Sequence, residues 1–142
     1  MTFFDYPGEA ATPRAATVFL EDATAQDWED LLAATNLRTL SPGEVVGYAE
    51  CALFLVRSGS LEVISPQGKK WKRLDTAGAG AVLGELGFLD GVPEPTLARA
   101  LEPSVVAELT HTGFAGLAAA RPELAVLLAM DLGRILAGRL RA

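Results

Sequence analysis

Leu53-Phe54-Leu55-Val56-Arg57-Ser58-Gly59-Ser60-Leu61-Glu62-Val63-Ile64 is the stretch that decides how this chain folds. Two short apolar runs, 53–56 and 61–64, flank a tight Ser-Gly-Ser turn, and together they read as a β-hairpin. Similar punctuation recurs on both sides: Ser41-Pro42-Gly43, Ser65-Pro66-Gln67-Gly68, Ala77-Gly78-Ala79-Gly80 and the prolines Pro93 and Pro95. Short apolar or alternating runs lie between these turns. Repeated short strands of this kind predict an antiparallel sandwich or barrel over residues 37–109.

The flanks change period. Val18, Phe19, Trp28, Leu31 and Leu32, with Thr24 or Asp27 available as cap, predict a short amphipathic helix ending near Thr35. After the strands, Thr112 can cap a short helix through Ala120, and Pro122 suits the first turn of the next. Leu124, Leu128, Leu132, Ile135 and Leu136 then recur at helical spacing. That stripe fits two roles equally: packing on the barrel, or a seam facing a second copy or another protein. Arg134, Arg139 and Arg141 fall in the last turns, where cations complement the helix dipole. The expected organisation is an irregular tail at 1–17 and one domain at 18–142. Within it a β-roll covers about 37–110 and C-terminal helices about 112–142.

Composition sets the bounds. A chain of 142 residues, 50% hydrophobic, is long enough for one domain and too short for two. The net charge of −6 argues against a general nucleic-acid or anionic-membrane binder, which most of the surface would repel. Cys51 stands alone, which excludes an internal disulfide framework, fits a reducing cytoplasmic setting, and reads as a small buried hydrophobe. No apolar run reaches the roughly 18 residues of a membrane span, and residues 1–16 lack the basic and apolar regions of a secretory signal. The tail's aromatic start, Phe3, Phe4 and Tyr6, is a candidate for docking on the domain or on a partner.

The most informative segment for function is Gly84-Glu85-Leu86-Gly87-Phe88-Leu89-Asp90-Gly91-Val92-Pro93-Glu94-Pro95. By itself it is a Gly-rich connection with an Asp90-Gly91 turn signal and prolines that exclude regular helix or central strand at 93–95. Such a loop can offer clustered backbone N–H groups to an anion, yet the side chains nearest to hand are Glu85, Asp90 and Glu94.

Together, Ser41-Pro42-Gly43-Glu44-Val45, the strand–Ser-Gly–strand hairpin, Gly80-Ala81-Val82-Leu83-Gly84-Glu85-Leu86-Gly87 and Arg99-Ala100-Leu101-Glu102-Pro103 resemble the cyclic nucleotide-binding domain of the catabolite activator and Fnr superfamily. The resemblance covers Phe19 to the end. It implies a mainly β fold with flanking helices: a double-stranded β-helix, or jelly-roll β-roll, with a short N-terminal helix and C-terminal helices. It also implies that Gly84, Glu85, Leu86, Gly87, Pro93, Glu94, Pro95 and Thr96 form the ligand pocket, with Glu85 accepting from a ribose 2′-hydroxyl. Family members that bind cyclic nucleotide carry Pro-Arg where this chain has Pro93-Glu94. Exchanging that arginine for a carboxylate loses a charge-assisted contact worth ~1.5–3 kcal/mol and adds repulsion at close range. Pro95 also removes a backbone donor. The cassette is therefore expected to be degenerate, with no cofactor and no cyclic nucleotide held in the family's way. Arg99 is expected to form a structural ion pair rather than a substitute phosphate contact. Pro13-Arg14-Ala15-Ala16-Thr17 looks like a cassette ending but lacks the Gly-Glu-Leu entry.

Other chemistry is sparse. His111 is the lone histidine, so a multi-histidine metal site cannot be assembled; a Ser-His-Asp system could use only His111, which reads more readily as a satisfied surface or capping residue. The acids Glu21, Asp22, Asp27, Glu29 and Asp30 form a solvated face. The run Gly68-Lys69-Lys70-Trp71-Lys72-Arg73 has the composition of a single-stranded nucleic-acid site. Its place in an acidic domain favours a solvated strand with Trp71 packed inward. The superfamily's helix-turn-helix output would follow the long helix, and the sequence stops at Ala142, so direct DNA binding is not expected. The resulting expectation is a stand-alone, non-enzymatic regulatory or adaptor module acting through a protein partner or a homodimer. The alternative is a sensor for cAMP, cGMP or another small ligand that signals to a separate output protein.

Overall fold

The computed structural model describes residues 19–47, 50–93 and 96–141. After a turn at Phe19 and Leu20, the chain runs α1 (Ala25–Ala33), β1 (Asn36–Leu40), β2 (Val45–Val46), β3 (Leu53–Ser58), β4 (Ser60–Gln67) and β5 (Lys70–Gly78). It continues β6 (Val82–Leu83), α2 (Glu85–Asp90), β7 (Leu97–Ala100), β8 (Ser104–Leu109), α3 (His111–Ala120) and α4 (Pro122–Arg141). The strands form two antiparallel four-stranded sheets, in the orders β1-β8-β3-β6 and β2-β7-β4-β5. This is the expected mainly β roll with helical flanks.

The continuous apolar run of β3 follows from its position, because both of its faces are covered. Phe54 and Val56 point between the sheets, where they meet Leu40, Val46, Leu61 and Val106. Leu53 and Leu55 point the other way, into a second core with Leu31, Leu109, Leu117 and Leu128 from the helices. The hairpin expected over residues 53–64 is corrected: β3 pairs with β6 and β8, and β4 with β5 and β7, so the two strands do not pair and the Ser-Gly-Ser turn carries the chain from one sheet to the other. Gly59 makes that turn possible. Its φ is +89°, and a Cβ there would lie 2.1 Å from Ser104 Oγ and 2.6 Å from the Pro103 carbonyl oxygen. Ser104, itself buried, accepts the Ser60 N–H at 3.1 Å and so fixes the turn against the start of β8.

The helices begin where their caps dictate. Thr24 and Asp27 form a reciprocal capping box, so α1 starts at Ala25 and leaves Phe19 and Leu20 in the preceding turn. Thr110, not Thr112, caps α3, because its hydroxyl accepts the Gly113 N–H at 3.0 Å. The Gly-rich connection after β6 carries one short helix, α2, closed by Gly91 at φ +73°. Trp71 does not pack inward: β5 is a sheet edge, and Trp71 sits 49% exposed near its start. Cys51 is half-buried rather than buried. Arg121, at the α3–α4 junction, holds Asp27 and Asp30 of α1 as well as Glu123, which draws the helices together.

Candidate functional site

The segment expected to form the pocket starts at Gly84, whose φ of +82° lets the chain turn sharply out of β6. A Cβ at this position would meet the Ala52 carbonyl oxygen at 2.5 Å, so the close approach to the end of β3 needs glycine. Glu85 opens α2 and is only 4% exposed. Leu86 is half-buried, Gly87 and Phe88 are buried, and Pro93 and Thr96 lie at the surface and half-buried respectively. Asp90 accepts the Val92 N–H at 2.8 Å, which shapes the loop leaving the helix. Glu94 and Pro95, which carry the departure from the family pattern, lie outside the described residues, as do the tail aromatics and Arg14.

Glu85 has a charged partner within the chain. Its carboxylate forms an ion pair with Arg139 near the end of α4. Desolvation lowers the Arg139 guanidinium below its ordinary pKa, and the charge of Asp75 on β5 opposes that shift. By sequence alone, Arg139 reads only as a complement to the helix dipole. Yet it continues the inward stripe of Leu128, Leu132 and Ile135 at spacings of three and four, which is the signal that aims it at Glu85.

Two arginines of the second sheet, Arg99 and Arg73, are committed to one carboxylate. Arg99 Nε donates to Glu62 at 2.8 Å and Arg73 Nε donates to the other oxygen of the same carboxylate at 2.7 Å. Glu62 is 3% exposed. Its two guanidinium partners, Arg99 first, hold its carboxyl below the usual range. Arg99 therefore makes the structural pair expected of it. His111 opens α3 and stacks on Phe88 with ring centroids 4.9 Å apart. Its Nε2 lies 2.6 Å from the Phe88 carbonyl, and since a carbonyl can only accept, Nε2 carries the proton.

The terminal-helix stripe is divided. Leu124, Leu128 and Leu132 are buried in the core beneath the helices, because α4 lies along the outer face of the first sheet and needs its apolar edge there. Of the two roles the stripe allows, these three take packing on the barrel, not a partner seam, while Ile135 and Leu136 are half-buried. Asp131, on the same side, is 5% exposed and accepts the Leu20 N–H at 2.6 Å. The outward face instead carries Val126 and Met130, 62% and 55% exposed, followed by exposed Gly133 and Ala137. No helix among the described residues is long and apolar enough to cross a membrane.

The family profile described as "Cyclic nucleotide-binding domain" matches residues 37–121. No curated protein matches the chain. Among solved structures it is similar to the catabolite activator protein of Thermus thermophilus, at 25% identity and a TM-score of 0.76, over 88% of this chain and 59% of that one. It is also similar to a cyclic nucleotide-binding domain from Methylobacillus flagellatus, at 24% identity and a TM-score of 0.75, over 86% of this chain and 71% of that one. A third likeness is to the regulatory subunit of a cAMP-independent protein kinase A from Trypanosoma brucei, a mutant bound to cAMP in the A site. It is 22% identical with a TM-score of 0.66, over 82% of this chain and 42% of that one. The chain thus spans about three fifths of the activator it matches and less than half of the kinase subunit.

Proposed function

Since the chain belongs to the cyclic nucleotide-binding domain family, we propose that it is a non-enzymatic regulatory module that no longer takes cyclic nucleotide and works through protein contacts. The observation that carries this reading is the Arg139–Glu85 pair. A ribose hydroxyl would have to displace a charged partner from Glu85, exchanging an ion pair for a weaker bond. Glu94 adds a negative charge in the segment where the family's phosphate-binding arginine stands. Arg99 cannot move to replace that arginine without leaving Glu62 buried with one cation fewer. The outward apolar face of α4, centred on Val126 and Met130, is the surface through which a protein partner or a second copy would bind.

Calorimetric titration with cAMP and cGMP, on the native chain and on Glu94→Arg, tests the reading. The expected result is silence from the native chain and measurable binding by the variant. The cAMP-independent trypanosome relative offers a parallel, since the form of it that holds cAMP carries a substitution to arginine. Micromolar binding by the native chain would overturn the proposal.

A further inference from the structure

The chain distributes its cations unevenly. Arg38, Arg73, Arg99, Arg121, Arg134 and Arg139 all hold acids, and Arg57 lies over the Trp28 ring. Its only lysines, Lys69, Lys70 and Lys72, fall within four residues of one another at the tip of the β4–β5 hairpin. All three are exposed, and none is in an ion pair among the described residues. Trp71, among them, is 49% exposed. Concentrated unpaired charge around an exposed indole, on a chain of net charge −6, is not explained by solubility or by packing.

The backbone adds a direction. β5 pairs with β4 on one side and ends its sheet on the other, so its outer edge presents ladder groups that no described strand takes up. Strand alternation puts Lys70 and Lys72 on one face of that edge and Trp71 with Arg73 on the other. Lysines on an edge also discourage pairing with a second copy of the same edge, since the cations would face one another.

We propose that the outer edge of β5 is a docking site for an acidic, extended segment of a partner protein, added as a strand. Its acids, at every second residue, face Lys70 and Lys72, and its alternate apolar side chains lie against Trp71. Nucleic acid fits less well, because a polyanion would be repelled by the acidic remainder of the chain and would find one stacking ring rather than several. The inference rests on the adaptor reading only in taking the partner to be a protein.

The test uses fluorescence anisotropy with a fluorescein-labelled twelve-residue peptide alternating glutamate and valine. A block-ordered peptide of the same composition and a twelve-nucleotide oligo-dT serve as competitors. The expected result is saturable binding of the alternating peptide that weakens as salt rises. Trp71→Ala should weaken it about tenfold, and the Lys69→Glu, Lys70→Glu, Lys72→Glu variant should abolish it. Amide exchange along β5 should slow when the peptide is bound. Absence of binding, equal binding of the block-ordered peptide, tighter binding of oligo-dT, or indifference to the lysine substitutions would each overturn the proposal. Titrating the native chain with cAMP alongside the peptide separates the two readings. A native chain that binds cAMP sinks the adaptor proposal whatever the peptide does, whereas peptide failure with nucleotide silence sinks only the strand-docking site.

Discussion

Arg139 closes onto Glu85, so a single ion pair ties the last turns of α4 to the first residue of α2. The partners are unequally placed, with 5% of the Glu85 side chain exposed and 44% of Arg139. Removing the arginine leaves a buried carboxylate unpaired, which is the costly way to break such a pair. Half-exposure of Arg139 lets water compensate in part, so Arg139→Ala should destabilise by about 1–2 kcal/mol. The urea midpoints of Arg139→Ala, Glu85→Gln and the double variant check this. The double variant should fall well short of the sum of the singles, and additive losses would mean the two residues are not coupled.

The two faces of α4 should respond in opposite ways. Leu128 is fully buried in the core beneath the helices, and Leu128→Ala should cost about 2–5 kcal/mol. Met130, on the outward face, should tolerate Met130→Glu within about 0.5 kcal/mol. If that face holds a second copy, the same Met130→Glu change should lower the mass measured by light scattering at fixed concentration, while leaving the unfolding midpoint of the monomer in place.

Glu62 sets an acid limit. Its carboxyl is held below the ordinary 4.5 by Arg99 and then Arg73, so the folded chain holds this proton less tightly than the unfolded chain does. Stability from this group is fully present above about pH 4.5 and is lost as pH falls through the depressed folded value. Asp27, lowered from 3.8 by the Thr24 backbone N–H and by Arg121, adds to the same loss at lower pH. Compared in urea from pH 7 to pH 3, native and Glu62→Gln chains should differ most at neutrality and converge in acid. A gap that stays constant with pH would show that Glu62 is not acting through its charge.

Much of this fold is legible in local sequence, because turns and caps are local devices. The Ser-Gly-Ser turn, the Thr24 cap and Pro122 at the start of α4 each rest on a few neighbouring residues, whereas the strands that β3 and β4 pair with lie far along the chain, so the turn reads as a hairpin when it is a crossing between sheets. Sequence is less clear where a residue's partner lies far along the chain. Leu124, Leu128 and Leu132 show the same spacing whether they face a barrel or a second helix, and only the placement of α4 on the first sheet decides between the two. Trp71 is hydrophobic and sits in a strand, but the end of an edge strand has nothing to cover it. At the site, the Gly84-Glu85 entry is readable from the residues. Its arginine partner is not, because Arg139 looks like any cation at a helix end until its stripe is traced inward.

Arg139 also allows a sharper trial of the pocket than Glu94 alone. Two opposed roles follow from its position beside Glu85. If it stands in place of a ligand, Arg139→Ala added to Glu94→Arg should bind cAMP more tightly than Glu94→Arg by itself, since nothing need be displaced from the carboxylate. If instead it serves as the cation for a phosphate, the native chain should bind and Arg139→Ala should lose that binding. The family reading of Glu85 as a ribose acceptor, together with the acidic Glu94, favours the first. The expected order of affinity is Glu94→Arg with Arg139→Ala, then Glu94→Arg, with the native chain and Arg139→Ala alone showing none. Calorimetry on the four proteins reads that order directly. Binding by the native chain that vanishes in Arg139→Ala would reverse the assignment and make Arg139 the phosphate ligand.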